Sequence, residues 1–142
     1  MRIFTIPAIA RYNRAMLDVN DDEFDRIISK AIDHLPKAHL TAIKNVAIVY
    51  QDEPTPRQRQ ELKLLCHETL FGLYEGVPLT RRNGALNSYP PDKITIFKLP
   101  MLAYVNSVKE LEEQVRHTLW HEVAHYFGLN HDQIHKLEGK KL

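Results

Sequence analysis

The sequence has a single cysteine and almost no excess of charge of either sign. Because Cys66 stands alone, an intrachain disulfide is excluded, and any metal or catalytic site must be built from histidines and carboxylates. A lone cysteine also suits a reducing compartment, so we expect a cytoplasmic protein. The formal net charge is +1, with lysines and arginines spread along the chain, and we therefore expect no nucleic-acid partner.

Long hydrophobic runs are also missing. No apolar segment approaches the length that crosses a bilayer, so we expect no contact with a membrane. The N-terminus carries an A-x-A triplet at residues 8–10, but this N-terminal segment is too short for a signal peptide and is interrupted by Pro7. A chain of 142 residues, 44% of them hydrophobic, fits one domain over residues 1–142.

Three segments begin with the polar caps that start helices. The pairs are Asn20 with Glu23, Thr55 with Gln58, and Ser107 with Glu110. The first helix carries an apolar stripe that should be buried, and the stripe consists of Phe24, Ile27, Ile28, Ala31 and Leu35. We expect the second helix to reach past Cys66 and to bury it. The third should run for about five turns, to Gly128.

Strand patterns lie between these helices. Residues 45–51 are β-branched and apolar on both faces, which predicts a central strand. Residues 93–100 are flanked by prolines and fit an edge strand, whereas residues 2–6 predict a third strand. The segment 70–93 is rich in glycine and proline and is interpreted as a long surface loop. This order predicts an α+β fold in which a small sheet packs against helices.

The stretch "HEVAHYFGLNH" lies on the third predicted helix. His121 and His125 are four residues apart, so their imidazoles project from one helix face, one turn apart, and can bind one ion. Glu122 can reach a water on that ion, where a general base is needed. Gly128 permits the sharp turn that brings His131 back. Three imidazoles that leave a fourth position for water are typical of catalytic zinc.

Less specific interpretations stand beside this one. The stretch also fits a helix with solvated histidines and a glycine cap, or a bound zinc without catalysis. His117 lies one turn before His121 and either binds a transition-state oxygen or is simply solvated. Glu75 either orients a ligand imidazole or pairs with an arginine of the following turn, and His135 is interpreted as a surface residue. The side of the helix opposite the ligands should be core, and it carries Trp120, Val123, Ala124 and Phe127.

Over residues 20–132 the sequence resembles the minimal bacterial zincin-like metallopeptidases. The segments that carry the resemblance are "HEVAHYFGLNH", "LFGLYEGVPLTRR", "PPDKITIFKLP" and "DDEFDRIISKAIDHLP". The pattern H-E-x-x-H-x-x-G-x-x-H/D is shared with the metzincins, whose fold places this helix under a mixed sheet with substrate along an edge strand. The resemblance implies a zincin-like fold, zinc on His121, His125 and His131, and Glu122 as general base.

Two departures from these patterns are visible. Metzincins have a methionine turn after the third ligand, but no methionine follows Met101 here, which favours the minimal family. Many members of that family carry aspartate at the third ligand position, so Asp132, next to His131, is an alternative ligand.

We therefore expect a zinc-dependent metallopeptidase that hydrolyses peptide or protein substrates with a zinc-activated water. An extended substrate is predicted to pair with the strand at residues 93–99. An unidentified protein partner is possible for so small a domain. One alternative is a metal-dependent endoribonuclease of the rRNA-maturation type, which uses H-x-x-x-H-x-x-G-x-x-H. The other is a non-catalytic adaptor stabilised by zinc, in which Asp132 closes the site.

Overall fold

The computed structural model of the chain describes residues 6–7, 16–43, 45–78, 91–130, 132–134 and 136. The helices are α1 (Asp21–Asp33), α2 (Lys37–Ala42), α3 (Pro56–Glu61), α4 (Lys98–Tyr104) and α5 (Val108–Tyr126). The strands are β1 (Ile6–Pro7), β2 (Val46–Gln51), β3 (Glu68–Thr69), β4 (Gly72–Glu75) and β5 (Asp92–Phe97). In the part of the chain described, no helix is long and apolar enough to cross a membrane.

The main sheet has three strands in the order β2-β5-β4. β2 runs parallel to β5, with Ile48 opposite Ile94, and β4 runs antiparallel to β5, with Gly72 opposite Ile96. The sheet is therefore mixed. The predicted α+β fold, with a small mixed sheet packed against helices and one long helix, is confirmed.

Both faces of the central strand β5 are covered. Ile94 and Ile96 are fully buried and belong to the main core, which also includes residues of α1 and α5. On the opposite face Phe97 packs with Leu70 and Leu73 in a smaller cluster. Since a strand covered on both faces needs apolar residues on both, these contacts explain the composition of β5.

The helix α1 begins and packs as its sequence predicts. The side chain of Asn20 accepts a hydrogen bond from the backbone N–H of Glu23 at 2.8 Å, which satisfies one of the amides that have no partner inside the helix. All five residues of the predicted apolar stripe are buried, namely Phe24, Ile27, Ile28, Ala31 and Leu35. This stripe joins α5 in the main core.

The predicted positions of β2 and β5 in the sheet were wrong, because β2 is an edge strand and β5 is central. The prolines misled the prediction because they lie outside the six residues of β5 that pair with its neighbours. Pro100 falls in the first turn of α4, where backbone N–H groups have no partner within the helix and a proline is tolerated. A substrate cannot pair with β5, since both of its edges are already bonded.

The second predicted helix is shorter than expected. Thr55 and Gln58 form the full capping box, but α3 ends at Glu61 and Lys63 then takes a positive φ of 55°. Cys66 follows in a turn and is exposed, so the prediction of a buried helical cysteine was wrong. The cap directs only the first turn, whereas the length of a helix depends on what its later turns pack against.

Two further segments differ from their predictions. The third predicted strand, residues 2–6, lies outside the described residues except for Ile6, which with Pro7 forms β1. β1 pairs with β3 in a separate two-stranded sheet. The segment 70–93 was interpreted as a surface loop, but it contains the buried strand β4, while its residues 79–90 lie outside the described part.

Candidate metal centre

The helix α5 carries the histidines, and its two ends are fixed by local hydrogen bonds. The side chain of Ser107 accepts a hydrogen bond from the N–H of Glu110 at 3.2 Å, as predicted. At the other end Gly128 adopts a φ of 83°, its N–H donates to the carbonyl of His125, and the N–H of Leu129 donates to that of Ala124. These two bonds are the Schellman arrangement that ends a helix and reverses the chain direction.

His121 and His125 lie side by side on α5. Their ring centroids are 5.0 Å apart, and the ring planes are inclined by 73°. His125 is buried and His121 is half-buried. Nitrogens of two imidazoles at this spacing can approach one cation from one side of the helix. The structure thus brings together two of the three predicted ligands, and the third, His131, lies outside the described residues.

The carboxylate of Glu122 lies between α5 and the sheet, and only 8% of the residue is exposed. Burial raises the pKa of Glu122 from 4.5 to about 7, because removal from water disfavours the charged form. The backbone N–H of Tyr74, on β4, donates a hydrogen bond to this carboxylate and opposes the effect of burial. The predicted general base is therefore held at the contact between α5 and β4.

The close approach of β4 to α5 depends on Gly72. A Cβ atom at this position would lie 2.6 Å from Cγ2 of Thr118 and 3.4 Å from Cγ of Glu122. The first distance is too short for two carbon atoms, so only glycine allows the strand to lie this close to the helix. Because Gly72 has no side chain, β4 can lie directly beside Glu122.

The other predicted residues have varied surroundings. His117 is exposed, with its ring centroid 6.2 Å from that of His121. Glu75 accepts a hydrogen bond from Gln58 at 3.2 Å and lies 3.6 Å from Nζ of Lys93. Neither of these partners was predicted.

Two other residues singled out in the sequence, Asp132 and His135, lie close to the predicted third ligand, His131, along the chain. Asp132 is exposed, whereas His135 lies outside the described residues. Within the described part of the chain, no three histidine, cysteine, aspartate or glutamate residues form a group that could hold a metal, so Asp132 does not complete a set with His121 and His125.

The core side of α5 agrees with its prediction. Val123 and Ala124 are buried, and Trp120 and Phe127 are partly buried against the main core. The hydroxyl of Tyr126 donates to the carbonyl of Ala42 at 3.2 Å, which ties the end of α5 to α2.

The sequence analysis missed Gly72 and Tyr74, which contact the predicted base. Both lie in the segment that was interpreted as a loop because of its glycines and prolines. The signal that marks them is the short apolar run around Gly72, from Leu70 to Tyr74. A glycine in a strand often indicates that another backbone or side chain comes close.

The residues at this site suit zinc. Imidazole nitrogens are common zinc ligands, and a nearby carboxylate that is not needed as a ligand is typical of catalytic sites. Nε2 of His121 is a buried atom that makes no hydrogen bond within the described residues, although the ring has other contacts. The two imidazoles of His121 and His125, with the carboxylate of Glu122 left unliganded, therefore fit the group that the sequence pattern implies.

A long helix beneath a small mixed sheet, with H-E-x-x-H on the helix face next to a strand, defines the zincin class of proteins. Residues 43–141 match the profile of the zincin-like metallopeptidases, which is well over half of the chain. The chain belongs to that family. Among curated proteins, none matches it significantly.

Proposed function

We propose that the chain is a zinc-dependent peptidase that hydrolyses peptide bonds in peptide or protein substrates. His121, His125 and His131 would hold the zinc, and Glu122 would act as the general base. The observation that carries this proposal is the pair of adjacent imidazoles on α5, with Glu122 next to His121 in the helix and its carboxylate held against β4. Membership of the zincin-like metallopeptidases supports it.

The roles of the residues follow from their positions. Zinc, when bound, acts as a Lewis acid that polarises a carbonyl and makes water more acidic. The carboxylate of Glu122 accepts a proton from the attacking water and passes it to the nitrogen of the leaving amine. Burial of Glu122 and His125 limits the access of bulk water, which strengthens electrostatic interactions at the site.

The substrate path in this proposal follows β4 instead of β5. The N–H of Phe97 donates to the carbonyl of Phe71 at 2.8 Å, and these two residues are opposite each other in the register of β4 and β5. Because backbone groups alternate in direction along a strand, those of Gly72 and Tyr74 point away from β5. Among the described strands none pairs with this outer edge of β4. Because the N–H of Tyr74 already donates to the carboxylate of Glu122, an extended peptide along this edge would pair at Gly72, beside Glu122.

The test compares the chain with three single variants, using zinc content and cleavage of a library of quenched fluorogenic peptides. Glu122→Gln should keep its zinc and lose at least about 100-fold in kcat/KM, because only the base is removed. His125→Ala should lose both zinc and activity. His67→Ala is the matched control, since this exposed histidine lies in the turn before β3, and it should behave like the unmodified chain.

The outcomes separate the alternatives. Peptide cleavage that survives Glu122→Gln contradicts the proposed mechanism. A zinc-loaded chain that cleaves no peptide but retains a protein partner in the Glu122→Gln variant favours the zinc-stabilised adaptor. Cleavage of precursor rRNA that falls steeply with salt favours the endoribonuclease.

A further inference from the structure

Tyr74 contacts three residues of β5 and α5 from a buried position on β4, where only 3% of it is exposed. Its hydroxyl donates to Oδ2 of Asp92 at 3.0 Å. Its ring meets that of Tyr126, on α5, edge to face with a centroid distance of 6.0 Å. Its backbone N–H donates to the carboxylate of Glu122. One residue thus links the predicted base to the sheet and to the end of the histidine helix.

The amide of Tyr74 is available to Glu122 because of the register of β4. The N–H and carbonyl of Leu73 and of Glu75 face β5, whereas those of Tyr74 face away from it, and the N–H of Tyr74 donates to Glu122. The direction of this bond is therefore set by strand pairing. A shift of one residue in the register would turn the amide away from Glu122.

Asp92 fixes the side chain of Tyr74 and the segment that follows β4. Oδ1 of Asp92 accepts a hydrogen bond from the N–H of Val77 at 3.3 Å, and only 2% of Asp92 is exposed. Gly76, with a φ of 155°, comes so close that a Cβ atom on it would lie 2.6 Å from Cγ of Asp92. The chain after β4 is thus folded tightly around the carboxylate that accepts from Tyr74.

We propose that Tyr74 is a positioning residue for Glu122: its backbone amide orients the carboxylate, and Asp92 fixes Tyr74 through the phenolic hydroxyl. The kinetic consequence rests on the proposed function, whereas the hydrogen bond itself does not. Positioning of a catalytic group by neighbouring hydrogen bonds determines how much of its catalytic effect is realised. Loss of the hydroxyl should therefore lower kcat and leave zinc affinity and KM unchanged.

The structural arm of the test measures amide hydrogen exchange by NMR in the full chain with zinc added. In Glu122→Ala the amide of Tyr74 should exchange at least about tenfold faster, while those of Leu73 and Glu75, which face β5, change by less than about twofold. Equal exchange of the Tyr74 amide in both proteins overturns the inference. An equal rise at all three amides overturns it as well, since this indicates general loosening of β4.

The kinetic arm uses Tyr74→Phe, with Tyr50→Phe as the matched control. Tyr50 lies on β2 at the far edge of the same sheet, and its hydroxyl contacts only a backbone carbonyl of α1 at 3.5 Å among the hydrogen bonds described. Tyr74→Phe should lower kcat about tenfold, with KM and zinc affinity within about twofold of the unmodified chain. Asp92→Asn should have a similar effect, and the double variant should lose little more than either alone.

The two arms fail in different ways. If the chain shows no peptidase activity, the proposed function fails, but the exchange of the Tyr74 amide still tests the inference. If Tyr74→Phe lowers stability and leaves kcat unchanged in the folded, zinc-loaded protein, Tyr74 is a core residue only and the positioning role is overturned.

Discussion

At the scale of single residues, Glu122 gives the metal-free chain a pH-dependent stability. Its pKa is about 7 in the folded chain and 4.5 where it is exposed to water, so ionisation opposes folding. The contribution of the protonated carboxyl to the free energy of unfolding is fully present below about pH 4.5 and is lost as the pH rises through about 7. Because the pKa rises from 4.5 to about 7 on folding, full ionisation of Glu122 lowers the free energy of unfolding by about 3 kcal/mol.

Glu122→Gln should remove this dependence, because glutamine does not titrate. In buffers with a chelator, the difference in free energy of unfolding between the variant and the unmodified chain should grow in favour of glutamine between pH 5 and pH 8. Urea unfolding at several pH values measures it, and titration of histidines cancels in the difference. Parallel curves over this range would show that the folded chain holds Glu122 as a carboxylate.

The residues of the site were predictable to different degrees from the sequence. His121, Glu122 and His125 follow from a spacing that depends only on helical geometry, and α5 forms over that stretch. The helix caps at Asn20, Thr55 and Ser107 also depend only on neighbouring residues. Each of the three side chains accepts a hydrogen bond from the expected backbone N–H. Gly72 and Tyr74 were missed because their contacts join residues far apart in the chain.

At the scale of secondary structure elements, the contact between β4 and α5 limits which side chains are allowed at Gly72. Gly72→Ala should lower the free energy of unfolding by about 1–3 kcal/mol, because the new methyl group overlaps Cγ2 of Thr118. Thr118→Ser removes that carbon and keeps the hydroxyl, which accepts a hydrogen bond from Gln114 at 3.1 Å. Gly72→Ala should therefore cost less in the Thr118→Ser background.

Chemical denaturation of the two single variants, the double variant and the unmodified chain completes this thermodynamic cycle. Thr118→Ser alone is the control for the lost methyl group. An equal cost of Gly72→Ala in both backgrounds would mean that the strand moves away from the helix. It would also mean that Gly72 does not determine how close β4 lies to Glu122.

The predicted elements show which properties of a strand are encoded locally. The strands β2 and β5 were both found because β-branched and apolar residues mark them, but residues 98–100, which were predicted to continue β5, begin α4. Their places in the sheet were exchanged, since a central position depends on which neighbours pair on each side. The exposed Ala47 and Val49 on β2 fit its edge position and break the pattern of burial on both faces.

At the scale of the whole molecule, the fold class was predictable because capped helices alternate with apolar strands, and only a few arrangements bury both. The packing of α1 and α5 against one face of the sheet follows from the apolar stripes of the two helices. The small cluster on the opposite face, around Phe97, was not predictable, because it is covered in part by Leu62 and Leu64, from a segment that was expected to be helical. The proposed third ligand, His131, remains a prediction.

Zinc binding should stabilise the whole molecule if the proposed ligands hold it. A ligand that binds only the folded chain adds about 4 kcal/mol to the free energy of unfolding when its free concentration is 1,000 times its Kd. The ligands on α5 connect a helix that contacts α1, β4 and β5, so the gain should appear in one cooperative transition. Urea unfolding with and without buffered zinc measures this gain.

The variants assign the stabilising effect to the site. His125→Ala should lose nearly all of the gain, whereas His67→Ala should keep it, because only the first removes a proposed ligand. His131→Ala should also lose most of it, and this variant tests the third ligand directly. A chain that gains the same stability from zinc in His125→Ala binds the ion elsewhere, and the proposal that α5 carries the zinc would then be wrong.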